Sequence, residues 1–487
     1  MIGIPDRDYA ALRFEAFASE VLAPAILRQA SEPAVQVFQT GERISPEEAR
    51  TAIFQPVARG FRWGPVWSTA WFRIRGAVPG EPPAGEWALW FSSGTEAQLF
   101  LDGQPLQGFD DNRQLFRLGK RLRPGEPFEF FVEAACNRPL GVATFWWDDK
   151  ELVRRWQEEN PGRYEGCRLV DLDQDLSDFH LKYEFARRLA LALPEGSARA
   201  RELLQGLRQV TNLIPAGQAG AALKSARPIL ERLLEGAPHP STHCVAVGHA
   251  HLDTAWLWPL AETRRKIVRS WSNALELMER FPTFRFAASQ AQQYAFCKED
   301  APELFERIRA RVKEGRWEPV GAMWVESDGH APSGESLIRQ ILHGISFYRR
   351  EFGEAAPQTV LFLPDTFGFP AALPQIMRLF CLETFVTDKM AWSERHEFPH
   401  VTFLWRGIDG TETLTHLTPG CNYNAPLQPQ DLLKGEQRLL GKDRDPVAPE
   451  RAFLDRWLQP FGFGDGGGGP TEEIVKRSEL AARVEGL

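Results

Sequence analysis

The chain has 487 residues, 43% of them hydrophobic and 25% charged, with a formal net charge of −8. That length exceeds what one hydrophobic core normally serves, so two to four domains are expected, with the composition of a soluble globular protein. The acidic balance excludes nucleic acid or an anionic membrane as the main partner, since either calls for a basic face, and no run of eighteen apolar residues offers a membrane span.

The opening "MIGIPDRDYAALRFEAFASE" places acids and bases where a secretory signal needs an unbroken apolar stretch. The six cysteines (Cys136, Cys167, Cys244, Cys297, Cys381, Cys421) are scattered without a CxxC pair, which fits reduced thiols in the cytoplasm better than a disulfide framework or a thiolate metal site. Sixteen tryptophans are many for this length. Most such indoles fill cores; those beside polar clusters can stack on the C–H faces of sugars.

In chain order, residues 1–145 are rich in short β-like runs such as "STAWFRIRGAV", "GEWALWFSS" and "FEFFVEAACN", separated by Gly, Pro and Asp turns. That spacing predicts an antiparallel β-sandwich, with Asp102-Gly103 at a hairpin tip. Over 146–240, "DFHLKYEFARRLALALP" and "SARARELLQGLRQVTNLI" carry apolar residues every three or four positions and predict a helical connector. From 241 to 487 the pattern alternates. "HCVAVG" predicts a buried strand, and the next helix has Pro259 in its first turn and an apolar stripe of Ile267, Trp271, Leu275 and Met278. "DAPELFERIRARVKEG" predicts a helix capped by Asp300 and stopped by Gly315, "RWEPVGAMWV" a strand, 333–353 a helix and "TVLFLP" a strand. Such alternation implies a parallel sheet covered by helices, with ligand sites at the carboxyl ends of the strands.

At the first of those ends stands "GHAHLDTAWLWP". His251 and Asp253, two apart, share one side of an extended chain, and His249 joins them if the chain stays extended. Such residues can cap the following helix; an H-x-H-x-D run at a strand end points instead to a metal, because imidazole and carboxylate are the ligands used when no thiolate is present. "TVLFLPDTFGFP" brings Asp365 to a matching end, as a turn residue, a ligand, a nucleophile or both of the last two. "WVESDGHAPSG" sets Glu326 and Asp328 near the same rim, suited to sugar hydroxyls, although Asp328-Gly329 is also an ordinary turn pair. "FGFGDGGGGP" is a linker, or backbone free to approach a ligand with Asp465 at its edge. His396 and His400 are four apart, but Pro399 between them argues against a helix, and they are taken as structural.

Together "GHAHLDTAWLWPLAETRRK", "SQAQQY", "GRWEPVGAMWVESDGHAPSGESLIRQ", "FLPDTFGFPAALPQIM" and "FGDGGGGPTEE" resemble the class II α-mannosidases of glycoside hydrolase family 38, and "WGPVWSTAWFRI" and "ACNRPLG" resemble the leading β-domain of the cytosolic or bacterial type. The resemblance implies a seven-stranded β/α barrel and hydrolysis of terminal α-D-mannosyl residues from mannose-containing oligosaccharides with retention. It implies a zinc ion, or cobalt or another divalent cation, that binds two sugar hydroxyls. By motif, His251, Asp253 and Asp365 match the metal ligands and Asp365 also the nucleophile. Trp256 matches the ring-stacking residue, Asp328 a hydroxyl-binding carboxylate and Asp465 the general acid/base. The family's further histidine ligand lies in an "HD" motif beyond the glycine-rich stretch, whereas the last histidine here is His416. The chain is therefore expected to be the front part of a longer enzyme, holding the ion with three protein groups, and to be weak or inactive alone. A zinc polysaccharide deacetylase and a non-catalytic sugar-binding fragment are the alternative readings; a homo-oligomer is compatible with any of them.

Overall fold

Two long strands organise the N-terminal half. In Thr69–Ala77 ("TAWFRIRGA") and Pro127–Ala135 ("PFEFFVEAA") bulky side chains recur at period two, which sends them to one face of an extended chain. In the computed structural model, which describes residues 6–119, 121–236, 242–393, 395–420, 422–442 and 455–484, they pair antiparallel from Pro127 opposite Ala77 to Ala135 opposite Thr69. Around them a six-stranded sheet is completed by Gln55–Pro56, Ala34–Thr40, Ala97–Leu101 and Gln104–Phe109. A four-stranded sheet, ordered Leu27–Ser31, Gly166–Leu172, Glu86–Ser92, Leu115–Arg117, packs against it, and all pairings are antiparallel. Phe72, Ile74, Leu89, Phe91, Phe130 and Val132 are buried between the sheets, each stabilising the sandwich by about 1.5–3 kcal/mol on leaving water. The hairpin tip forms as expected: Asp102 and Gly103 both take positive φ (50° and 83°), the geometry of a tight two-residue turn.

The sandwich does not stop at residue 145. Gly166–Leu172 ("GCRLVDL"), expected within the helical connector, is an inner strand of the four-stranded sheet. Cys167 and Leu169 enter the core between the sheets, while Val170 and Leu172 pack on the opposite side, so its alternation serves two cores at once. The helical region follows as Gln174–Ala192, Ala198–Leu213 and Ala219–Leu234. It is joined by the N-terminal helix Asp6–Ala16 and by Glu472–Ala481, since Phe14, Phe17, Leu189, Leu207, Leu230 and Leu480 share one apolar cluster. The expected boundary at 240–241 lies outside the described residues, as does Cys421.

The α/β region contains two four-stranded sheets. One, ordered Trp317–Pro319, Phe286–Ala288, His243–His249, Arg456–Phe461, is parallel throughout. In the other, Val360–Phe362, Thr384–Thr387 and Glu412–Leu417 are parallel and Thr402–Arg406 flanks them antiparallel. The sheets approach at both edges: Ala425 bridges Phe461, and Gly321 lies against Phe362.

The helix Leu260–Arg280 follows Pro259 and buries Ile267, Trp271, Leu275 and Met278, as the stripe predicts. Its other face is buried too, with Glu262, Arg265, Lys266, Arg269 and Glu276 covered by the sandwich rather than by water. One expectation fails locally. Asp300 ends the helix Ala291–Asp300 and is ion-paired with Arg264 and Arg43, so Pro302–Lys313 starts from Ala301 without a side-chain cap. Ser333 does cap Gly334–Phe352, and Gly353 ends it. Among the described residues no helix is long and apolar enough to cross a membrane.

Candidate active site

The carboxyl ends of the parallel strands carry the polar groups. Beyond His243–His249 the chain turns through His251 and Asp253, and Gln290 and Gln293 hold that loop by donating to Leu252 O at 2.9 and 2.7 Å. Thr254 donates to Gln290 Oε1 at 2.8 Å, so the "SQAQQY" segment acts as the brace of the histidine loop.

His251 is buried, and neither of its ring nitrogens has a hydrogen-bond partner. Nε2 lies 3.7 Å from Asp253 Oδ1 and 3.5 Å from Asp365 Oδ2, and Nδ1 lies 3.7 Å from Glu326 Oε1. One ligand atom from each of His251, Asp253 and Asp365 falls within 4.8 Å of the others. These spacings are too long for hydrogen bonds, yet close to the roughly 3.3–3.5 Å between neighbouring ligands of a tetrahedral ion held at about 2.0–2.2 Å. A buried imidazole with both nitrogens orphaned among carboxylates fits a cation. The same field acts on a proton: burial opposes the charge of His251, but Glu326, Asp253 and Asp365 outweigh it and raise the ring's pKa well above its ordinary value.

Asp365 has two different oxygens. Oδ2 faces His251, while Oδ1 accepts from Tyr423 Oη at 2.5 Å and pairs with Lys389 Nζ at 2.6 Å. Burial opposes ionisation of Asp365, but His251, Lys389 and Tyr423 together hold its carboxyl at about 2. Lys389 is itself buried and lies over the rings of Trp392 (3.8 Å), Phe367 (4.5 Å) and Tyr423 (5.6 Å). Glu326 behaves oppositely: burial lifts its carboxyl to about 7, and it accepts from Ser289 Oγ at 2.8 Å.

Asp465 joins the group from the strand Arg456–Phe461. Its Oδ1 accepts from Asn424 Nδ2 at 3.0 Å and lies at the same distance from Tyr423 Oη, whose single proton can serve only one of the two carboxylates at a time. One hydroxyl therefore touches both Asp365 and Asp465, and its two legs of 2.5 and 3.0 Å keep those oxygens within about 5.5 Å of each other. Gly464 lets Asn424 come this close, because a Cβ there would overlap the Asn424 amide.

Among the described residues, none of the other expected residues belongs to this metal-ligating group. Trp256 is half exposed on a turn where Ala255 takes a φ of 69°, edge-on to Trp258 at 6.0 Å. Asp328 is exposed, and its Oδ1 accepts from the backbone N–H groups of His330 (2.6 Å) and Ala331 (2.9 Å), so it shapes its own turn. That turn packs on the Asp365 loop, where Thr366 donates to Ser327 O at 3.2 Å. His249 stands outside the cluster; its Nδ1 lies 2.9 Å from Ala287 O, and burial lowers its pKa to about 4. His416 is a half-buried strand residue whose ring nitrogens engage Thr402 and the Leu458 N–H. His396 and His400 lie in no helix.

Tyr423, Asn424 and Lys389 had not been singled out. Lys389 follows the strand Thr384–Thr387 as Asp365 follows its own, so the strand-end rule could have found it. "NYNAP" has no periodic signal, and the Pro419-Gly420 turn ahead of it marks a loop without marking chemistry.

Residues 241–486 match the family model described as the glycosyl hydrolases family 38 N-terminal domain, and 32–158 match the alpha-mannosidase jelly roll domain. Alpha-mannosidase 2C1 of Homo sapiens is 36% identical over 455 residues, covering 92% of this chain and 42% of that protein. Alpha-mannosidase G of Dictyostelium discoideum is 31% identical over 467 residues (95% and 42%), and the alpha-mannosidase of Saccharomyces cerevisiae is 33% identical over 435 residues (85% and 38%). The chain spans about two fifths of the length of the curated relatives it matches. With half of its residues matching that family's N-terminal domain, and the jelly roll of alpha-mannosidases ahead of it, this chain belongs to glycosyl hydrolase family 38.

Proposed function

We propose that this chain carries the catalytic residues of a metal-dependent α-mannosidase that removes terminal α-D-mannosyl residues from oligosaccharides with retention. The observation behind the reading is the convergence of His251, Asp253 and Asp365 within 4.8 Å, beside a second carboxylate held through Tyr423. Zinc suits one imidazole and two carboxylates with a position left for substrate, and cobalt or another divalent ion takes the same donors. Such an ion supplies Lewis acidity towards sugar hydroxyls.

The protein's own groups divide the remaining work. Asp365, held ionised, attacks the anomeric carbon while Asp465 gives its proton to the departing glycosidic oxygen. Asp465 then takes a proton from the water that attacks the same carbon, which releases mannose and frees Asp365. Carboxylate oxygens held no more than about 5.5 Å apart by the shared hydroxyl support retention, because inverting pairs stand about 6.5–9.5 Å apart. Trp256 offers an indole face for the sugar ring, and Asp328, with Oδ1 fixed in its turn, presents its other oxygen at the rim. The two α/β sheets are two arcs of one seven-stranded barrel, a reading supported by the contacts at both their edges. Five free cysteines among the described residues agree with a cytoplasmic setting. Family membership leaves the deacetylase reading without support.

The test is hydrolysis of an aryl α-mannoside by zinc- or cobalt-loaded and by chelated protein, with bound metal measured on the same samples. Turnover confined to the loaded form, and loss of both turnover and metal in Asp365→Ala, is expected. A loaded protein that binds mannosides without cleaving them would refute hydrolysis.

A further inference from the structure

We infer that the β-sandwich positions the general acid: Arg113 and Lys266 clamp the glycine loop that carries Asp465, and set where its carboxyl points. The inference rests on the reading of Asp465 as the acid.

The loop 465–470 cannot hold itself. Four consecutive glycines follow Asp465, which itself takes a φ of 58°, a left-handed conformation costing a non-glycine residue about 1 kcal/mol. Such a backbone stays in one place only when its surroundings over-determine it, and here three sets of contacts do so. Arg113, on the sandwich, donates Nη2 to the carbonyls of Gly468 (2.7 Å), Gly469 (3.4 Å) and Pro470 (3.0 Å), while Asp110 anchors its Nη1 at 2.5 Å. Lys266, its side chain fully buried in the Leu260–Arg280 helix, donates to Gly466 O at 3.3 Å and to Pro139 O of the sandwich at 2.9 Å. Glu96 of the sandwich holds that ammonium at 2.6 Å. Ser270, one helical turn further on, bonds Gly467 O.

The third set ties the loop to the metal-binding loop: Gly467 N donates to His251 O at 2.9 Å, and Leu252 bridges Gly466. Gly466 has no room for a side chain, since a Cβ would run into Pro139 O. The acid is therefore pinned between the metal loop and the sandwich, and its only covalent slack is glycine. A carbonyl-by-carbonyl clamp fixes position without touching substrate, so Arg113 and Lys266 are positioning residues.

A displaced acid hurts only reactions that need its proton. Arg113→Lys, Arg113→Ala and Lys266→Met are compared with the parent in the intact, metal-loaded protein. Lys266→Met leaves Glu96 its partners Asn137 and Arg269, and serves if the arginine variants do not fold. The readout is kcat/KM, which reports steps up to cleavage, on mannobiose and on 2,4-dinitrophenyl α-mannoside, whose leaving group departs without a proton. The expected loss is about 10–100-fold on mannobiose and under about threefold on the dinitrophenyl substrate. Equal losses on both, or no loss on either, overturn the inference. If the parent cleaves neither substrate, the mannosidase reading fails by itself, and amide hydrogen exchange over 462–470 decides the clamp. At least about tenfold faster exchange in the variants supports it, and unchanged exchange overturns it.

Discussion

Tyr423→Phe deletes one oxygen from the centre of the site and leaves the rest of the ring, which packs edge-on against His251 at 5.0 Å. That oxygen touches both Asp365 and Asp465. Without it Asp365 Oδ1 keeps Lys389, and Asp465 Oδ1 keeps Asn424, so neither carboxylate is stranded. A hydrogen bond to a charged group contributes about 1.5–3 kcal/mol, and on the proposed roles of the two carboxylates that range corresponds to about 10–150-fold in rate. The metal should remain, because the oxygen of Asp365 nearest His251 is Oδ2 and Tyr423 bonds Oδ1. Steady-state hydrolysis of an aryl α-mannoside, run with metal analysis of the same preparation, should show kcat/KM reduced about 10–150-fold, KM within about threefold and metal content unchanged. Full activity would remove the shared hydroxyl from the mechanism; lost metal would show that Tyr423 acts through the ion site instead.

Trp256→Ala removes an exposed indole whose neighbour Trp258 is fixed by Thr263 at 2.9 Å, so the turn survives and the loss falls on substrate binding. KM should rise about fivefold with kcat within about twofold, from about 1 kcal/mol of ring stacking; a kcat effect alone would contradict this. Glu472 gives a pH prediction. Burial opposes its charge, but Arg117 of the sandwich, Arg280 and Lys476 outweigh that and hold its carboxyl at about 2 against an ordinary 4.5. A depressed folded value stabilises above the unfolded value and is lost on acidification, so about 3 kcal/mol should disappear between about pH 4.5 and 2. Glu472→Gln should flatten that limb in denaturant unfolding followed against pH; the parent's slope retained in the variant would contradict it.

Strand ends were legible because chemistry there interrupts an apolar run. His251, Asp253 and Asp365 stand out against "CVAVG" and "TVLFLP", and Asp465 against the glycines, and the structure brings all four together. Tyr423 was hidden because a lone tyrosine interrupts no apolar run and its two partners are 58 and 42 positions away. Periodicity also misled for a physical reason: it distinguishes apolar from polar faces, not water from a salt-bridged partner. The charges of Leu260–Arg280 have the pattern of a solvated face and are nevertheless buried against Glu96 and Glu133. Gly166–Leu172 was lost among helical neighbours because adjacent Leu169 and Val170 both face a core, which breaks the alternation that marks a one-faced strand.

That doubly covered helix bears on how such enzymes can be cut and recombined. Remove the jelly roll, and Lys266 loses Glu96 and Arg265 loses Glu133, leaving three cations of one helix face with Glu262 as their shared counter-ion, an arrangement prone to aggregate rather than to refold. The family 38 segment of this protein is a partner in a fold rather than a transplantable cassette, and a chimera that keeps it must carry its own jelly roll along.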